Sequence, residues 1–187
     1  LLRRLLFKLI AHEPPKERNA SGSKNKTPEE GAAVKVIPQE DRPTRDFVVT
    51  VFPVHQGRVA LLFDALSGVL AAPSGHIRPE ELPGQAARRV VLAQTGLPVE
   101  LIDGLTPDWV PAFLPCPAGL MVERVTPTHE HICLIYFARP SAGFRPRLSQ
   151  DLPHLRWFSA EEIKALGLTP QVEGWAGAAI RAGEPEE

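Results

Sequence analysis

APSGHIRPEELPGQAARRVVLAQTGLPVE, residues Ala72 to Glu100, decides how the rest of the chain is read. It opens on a glycine turn at Gly75, runs through an acidic loop ending at Glu80 and Glu81, and closes on Gly96. The spacing between them predicts a helix from about Leu82 to Thr95. Gly96 is a stop signal, because glycine takes the left-handed conformation in which helices commonly end. At ~100° per residue, Ala86, Ala87, Val90, Val91, Ala93 and Gln94 fall on one broad stripe. That stripe predicts a packing face, turned either to the domain core or to an interface.

Upstream, DFVVTVFPVHQGRVALLFDALSGVLAAPSG reads as strands separated by turns. Phe47 to Val54 is the first strand and Arg58 to Asp64 its hairpin partner across His55-Gln56-Gly57. A short third, Val69 to Ala72, leads into the opening stretch. Pro53 lacks the N–H that a central ladder requires, so an edge position or a bulge is expected there. Downstream, Leu97 to Leu101 resumes extended structure, and Leu120 to Val125 is a strand. Pro127 to Glu130 is a turn, and His131 to Ala138 (HICLIYFA) is a strongly apolar strand. Asp103 to Pro117, rich in proline, reads as a long loop over the core, of a kind that often serves binding. In LRWFSAEEIKAL, Ser159 is a helix N-cap with Glu162 placed for a capping box. That helix stops at Gly167, and a last one spans Pro170 to Arg181.

With 187 residues the chain is long enough for one domain with a substantial core. The formal net charge of -1 gives no general attraction to nucleic acid, and no basic stripe interleaved with aromatics appears in the domain. Residues 1–30 hold seven Lys/Arg against four Asp/Glu, a balance of +3; the remainder holds 14 against 18, a balance of -4. The basic part is therefore the N-terminal segment. Leu1 to Ile10 can form a short helix with a leucine face, either packed on its own domain, touching a membrane surface, docked on a partner or left from a targeting segment. Ala11 to Ala33 is polar and reads as a linker. Residues 1–33 thus form a basic segment with a linker, and 34–187 the domain. The first residue is Leu, which leaves open whether a segment precedes it. No apolar run reaches the ~20 residues of a membrane span. Cys116 and Cys133 have neither metal nor disulfide spacing, which fits a reducing, cytoplasmic setting.

The opening stretch resembles the signature of the Nudix hydrolases: G, five residues, E, seven residues, then R-E-U-x-E-E-x-G-U, with U aliphatic. Gly75, Glu81, Arg89, Val91, Gly96 and Leu97 match it. PTHEHICLIYFARP and RWFSAEEI also resemble segments common in bacterial Nudix proteins, so the likeness extends over about residues 46–166. It implies an α/β fold, the Nudix α/β/α sandwich with a mixed central sheet. It also implies cleavage of a phosphoanhydride in a nucleoside-diphosphate-linked substrate, with Mg²⁺ or Mn²⁺ offsetting charge and activating water. Such hard ions need several oxygen ligands. The family carries its metal-binding glutamates at the positions of Val90, Ala93 and Gln94, where this chain has two side chains without a ligand atom and one neutral amide.

Two functional expectations follow. The first is a Nudix-fold protein with a degenerate signature and weak or absent hydrolysis, binding a nucleotide-like small molecule or a partner protein. Gly75, Arg78, Arg89, His129, His131 and Trp109 are its candidate ligand-binding residues, with no metal cofactor. The alternative is a working pyrophosphohydrolase, with Glu81 and Glu130 as candidate catalytic carboxylates and metal ligands drawn from Glu80, Glu81, Glu130 or Glu123. The blander reading pairs Glu81 with Arg89 as a structural tie and treats the His129–His131 segment as a polar strand start. Tyr136 is expected in the core. A homodimer fits either case, as does a third reading in which Leu1 to Ile10 docks an assembly subunit.

Overall fold

The computed structural model describes residues 43–64, 69–102, 114–146 and 154–183. The helix expected over Leu1 to Ile10, the linker over residues 11–33, and Trp109 and Phe113 lie outside them. Eight strands and three helices follow in the order β1 (Thr44–His55), β2 (Arg58–Asp64), β3 (Val69–Ala71), β4 (Ser74–His76), α1 (Pro83–Thr95), β5 (Val99–Leu101), β6 (Gly119–Thr126), β7 (His129–Pro140), β8 (Leu155–Phe158), α2 (Ala160–Ala165) and α3 (Pro170–Ala182).

The centre of the sheet is the parallel pair β1 and β7, in register from Thr44 opposite His129 to Pro53 opposite Ala138. Every other ladder is antiparallel, so the sheet is mixed. The FVVTVFPV run of β1 is apolar at both parities because a central strand has packing on both faces. On one face Val49, Val51, Tyr136 and Ala138 pack against Ala86, Ala87, Val90 and Val91 of α1. On the other, Val48, Phe52, Cys133, Ile135 and Phe137 pack against Ile163 of α2 and Ala176, Ala179 and Ile180 of α3. This is the expected α/β/α sandwich.

Pro53 lies in the central strand, not at an edge. Along that flank of β1, β4 pairs with Val48 to Thr50, and β2 takes over only at Val54 and His55. The Val51 N–H still bonds the Pro73 carbonyl at 2.9 Å. A residue-53 N–H would point the same way, into the gap between the two partners, so the proline forfeits no ladder bond. Other departures are local. Ser74–His76 is a strand rather than a turn, and Leu155–Phe158 is a strand that precedes α2. The β6–β7 turn holds only Pro127 and Thr128, with β7 already begun at His129.

Helix α1 starts at Pro83 in its first turn, with Gln85 Oε1 accepting the Leu82 N–H at 2.9 Å, and ends at Gly96 with φ 70°. Helix α2 has its capping box: the Ser159 hydroxyl accepts the Glu162 N–H at 3.3 Å, and the Glu162 carboxylate accepts the Ser159 N–H at 2.7 Å. Glu162 also holds Arg58 of β2 at 2.8 Å, which ties α2 to the sheet. Ser159→Ala is expected to lower unfolding stability by about 1 kcal/mol, the usual cost of a lost cap, measured by urea denaturation. No change would mean that the Arg58–Glu162 pair alone fixes the start of α2.

Candidate functional site

One ion pair holds the geometry of the opening stretch. Arg89, on the second turn of α1, points back over the loop. Its Nε and Nη2 donate to Glu81 Oε1 and Oε2 at 2.6 and 2.7 Å, and Nη2 also donates to the His76 carbonyl at 3.0 Å. The Arg78 N–H adds a bond to Glu81 Oε2 at 3.4 Å. This bidentate, charge-assisted pairing is the strong kind. The Arg89 guanidinium holds the Glu81 carboxyl below the usual carboxylate range, and Glu81 in turn raises Arg89.

Gly75 is required by space. Its φ is not in the left-handed region expected for a turn glycine. A Cβ there would stand 2.9 Å from Val90 Cγ2. The strand and the helix approach so closely because position 75 has no side chain. Val90 is thus a core residue, 2% exposed. Gln94, one turn on, donates its amide N–H to the Ser74 carbonyl at 2.8 Å and accepts the Ser74 N–H at 3.2 Å. Its neutral amide serves as a substitute strand edge. Ala93 is exposed, so the stripe read from the sequence is narrower than expected by that residue. Val90, Ala93 and Gln94 therefore present no carboxylate, and one hard-ion ligand set does not fit here.

The two faces of β7 separate the remaining candidates. Because the strand begins at His129, His129 and His131 share the α2/α3 face, and Glu130 points to the α1 face. Glu130 is the one buried charged residue among those described, 6% exposed. Its two oxygens bond Arg124 and Arg45, each at 3.0 Å. Arg124 and then Arg45 hold its carboxyl below the usual range. It is positioned as a tie across β6, β7 and β1, not as a base with a free oxygen. Tyr136 packs in the core with its hydroxyl donating to the Pro115 carbonyl at 3.3 Å. Arg78 and Glu80 are exposed in the loop. Glu123, on the His131 side, is half-buried, and burial pushes its carboxyl up; its Oε2 lies 3.8 Å from Cys133 Sγ.

The structure adds residues that the sequence reading missed. Beside the Arg45–Glu130–Arg124 group, on the same α1 face, Phe47, Val122 and Leu120 are 56%, 61% and 65% exposed. Strand register places Phe47 and Val122 on either side of Ile132, with Leu120 next along. Two guanidiniums around one carboxylate leave this strip a net positive end. On the opposite face, Asp46 and His76 join His129 and His131. Asp46 Oδ2 lies 3.5 Å from His76 Nε2 and 3.6 Å from His129 Nε2. The His131 ring stands edge-on to both His76 and His129, at 4.9 and 5.1 Å between centroids. Burial, then His76 and His129, depress the His131 imidazolium. Strand parity could have suggested the Phe47 strip. The Asp46 cluster had no signal, since Asp46 lies 30 residues before His76 and 83 before His129.

A family model for the NUDIX domain matches residues 29–177. Among solved structures the chain is similar to a hydrolase of the NUDIX family from Clostridium perfringens, with 25% identity and a TM-score of 0.63 over 75% of this chain and 99% of that one. It is also similar to a MutT protein from Methanosarcina mazei Go1 (16% identity, TM-score 0.52, 78% and 99% covered). A third is the E. coli ORF135 protein (19% identity, TM-score 0.50, 80% and 99% covered). These last two show likeness of fold alone. No curated protein matches the chain.

Two outcomes are expected from the stretch that holds the site. Gly75→Ala should cost about 1–3 kcal/mol by overpacking against Val90, and adding Val90→Ala should recover much of it; a Gly75→Ala protein as stable as wild type would contradict the close approach. Glu81→Gln should cost about 1–3 kcal/mol at neutral pH, since it weakens bonds to a charged partner. A depressed folded-state pKa gives stability that is full above the unfolded value and lost as pH falls through the folded one. The gap between wild type and Glu81→Gln should therefore close below pH 4.5, the ordinary value for this group. Denaturation curves across pH check both.

Proposed function

This chain belongs to the Nudix family, and from that premise we propose that it is a member with a degenerate signature and weak or absent hydrolysis that binds a nucleotide-like ligand. The observation that carries the reading is the fate of three α1 positions. Val90 is buried under Gly75, Gln94 is spent on the Ser74 backbone, and Ala93 has no ligand atom. Where the family's chemistry needs several carboxylates around a hard divalent ion, this helix offers none. Glu81 is held by Arg89 and the Arg78 N–H, and Glu130 by its two arginines. Both carboxyls are held below the usual range by these partners, which makes them weaker bases toward water.

Support for the ligand class comes from the α1 face itself. Phe47, Val122 and Leu120 offer a flat apolar strip, and Arg45 and Arg124 close one end of it with positive charge. A planar base prefers an aromatic surface, and an arginine is suited to phosphate. A ligand with a flat body and an anionic group meets both.

The test uses the untagged full chain and a panel of a nucleoside diphosphate sugar, a dinucleoside polyphosphate and nucleoside triphosphates. With MgCl₂ or MnCl₂, product release should not exceed that of Glu81→Ala. In EDTA, calorimetry should show binding of at least one compound, weakened about tenfold, or 1.4 kcal/mol, by Phe47→Ala and by Arg124→Ala. Turnover that depends on Glu81 would establish the working pyrophosphohydrolase instead. Absence of both turnover and binding would favour a protein partner on the same strip.

A further inference from the structure

On the α2/α3 face, away from α1, Asp46, His129 and His131 each offer a ligand atom, and the three atoms lie within 4.8 Å of one another. His76 Nε2 is a fourth donor, 3.5 Å from the same Asp46 oxygen that His129 Nε2 approaches. The four residues come from β1, β4 and β7, whose register sets them side by side: His131 is opposite Asp46, His129 opposite Thr44, and His76 opposite Val48. Their positions are thus fixed by the sheet rather than by loops.

His129 is held from its other nitrogen. Its Nδ1 meets the Thr44 hydroxyl at 2.8 Å, and that hydroxyl also reaches the Thr128 carbonyl at 3.2 Å. When the hydroxyl gives its one proton to the carbonyl it accepts from Nδ1–H, and the Nε2 lone pair then faces the Asp46 carboxylate at 3.6 Å. In that tautomer a cation belongs between the two acceptors. A ring nitrogen that donates to an oxygen while the other faces the ion is how metal-bound histidines are oriented.

We propose that Asp46, His76, His129 and His131 form a binding site for a borderline transition-metal ion of the Zn²⁺ type. Three imidazoles and one carboxylate match the ligand preferences of Zn²⁺, with Co²⁺ and Ni²⁺ as substitutes, and not those of Mg²⁺. Tetrahedral ligands at ~2.0–2.2 Å from a zinc ion sit roughly 3.4 Å apart. The Asp46 contacts are already near that spacing, and modest side-chain rotation brings in His131. Glu123, in register with His131 from β6, is the neighbouring carboxylate and points toward Cys133. The site is separate from the signature helix and stands whether or not the nucleotide reading holds. A bound ion would tie the first residues of β1 and β7 to β4.

The experiment titrates ZnCl₂ into the untagged full chain in a non-coordinating buffer, followed by calorimetry and thermal melting, with CoCl₂ for visible absorption. One ion per chain is expected, with a rising melting temperature and tetrahedral Co²⁺ bands; MgCl₂ should give neither. Asp46→Asn alters an exposed side chain and should leave the fold intact, yet weaken binding at least tenfold. His131→Gln should do the same, and Thr44→Val should weaken it about tenfold through the lost bond to His129 Nδ1. His154→Ala, a histidine outside the cluster, should leave the titration unchanged. The proposal is overturned by no saturable Zn²⁺ binding, by binding that Asp46→Asn and His131→Gln leave intact, or by an NMR titration showing that a proton on His129 Nε2 occupies the gap while zinc is refused.

Discussion

The bonds from Arg89 to Glu81 and to the His76 carbonyl hold three pieces of the chain at one point: the acidic loop, the end of β4 and the middle of α1. Everything nearby depends on that point. With the loop drawn down, α1 lies against β4 closely enough that position 75 must be glycine and Val90 becomes a core residue. With β4 aligned, Gln94 can complete the Ser74 backbone, and His76 is delivered to the far face of the sheet beside Asp46. The ion pair is partly shielded, so its Coulomb energy is screened less than that of a surface pair. Its larger effect is geometric, since a guanidinium fork fixes direction as well as distance.

In α1 and the loop before it, Gly75, Glu81, Arg89 and Gly96 fix the shape. Val90, on the sheet side of the helix, fills the space under Gly75. The Gln94 amide both donates to and accepts from the Ser74 backbone, a strand edge that a carboxylate, which has no donor, would only half serve. Ala93, four residues after Arg89 and so on the same side of the helix, is exposed.

The sequence made most of the architecture legible because the elements are local. Periodicity located β1, β2, β6, β7, α1 and α3, and cap residues located the starts of α2 and the end of α1. The short β3 and β5 were also read as extended, but β4 and β8 escaped because three or four residues carry too little periodicity: SGH contains a glycine and reads as a turn, and LRWF merges with the helix behind it. Pro53 misled because its missing N–H matters only if a partner strand is opposite, and partners are a tertiary fact. The candidate sites were less legible still. The alternation of β7 puts His129 and His131 on one face and Glu130 on the other, yet which residues of β1 stand beside them follows from a parallel register across the chain. Without that register neither Asp46 nor Arg45 could be connected to β7.

The same register has a consequence for how the protein is made. β1 finds its main partner only when β7, some eighty-five positions later, has been synthesised. Local hairpins and α1 can form early, but the long parallel ladder must wait for a distant segment, a slow kind of closure. In that interval Phe47 to Phe52 is an exposed, β-prone, nearly uncharged run, the type that recruits other chains. Pro53 stands directly after it. Placed where the native ladder has a gap, it costs the finished sheet nothing, while in an intermolecular stack it removes a donor. On the β4/β2 flank of β1 the proline thus denies a donor to any chain that would stack there, at no cost to the native ladder.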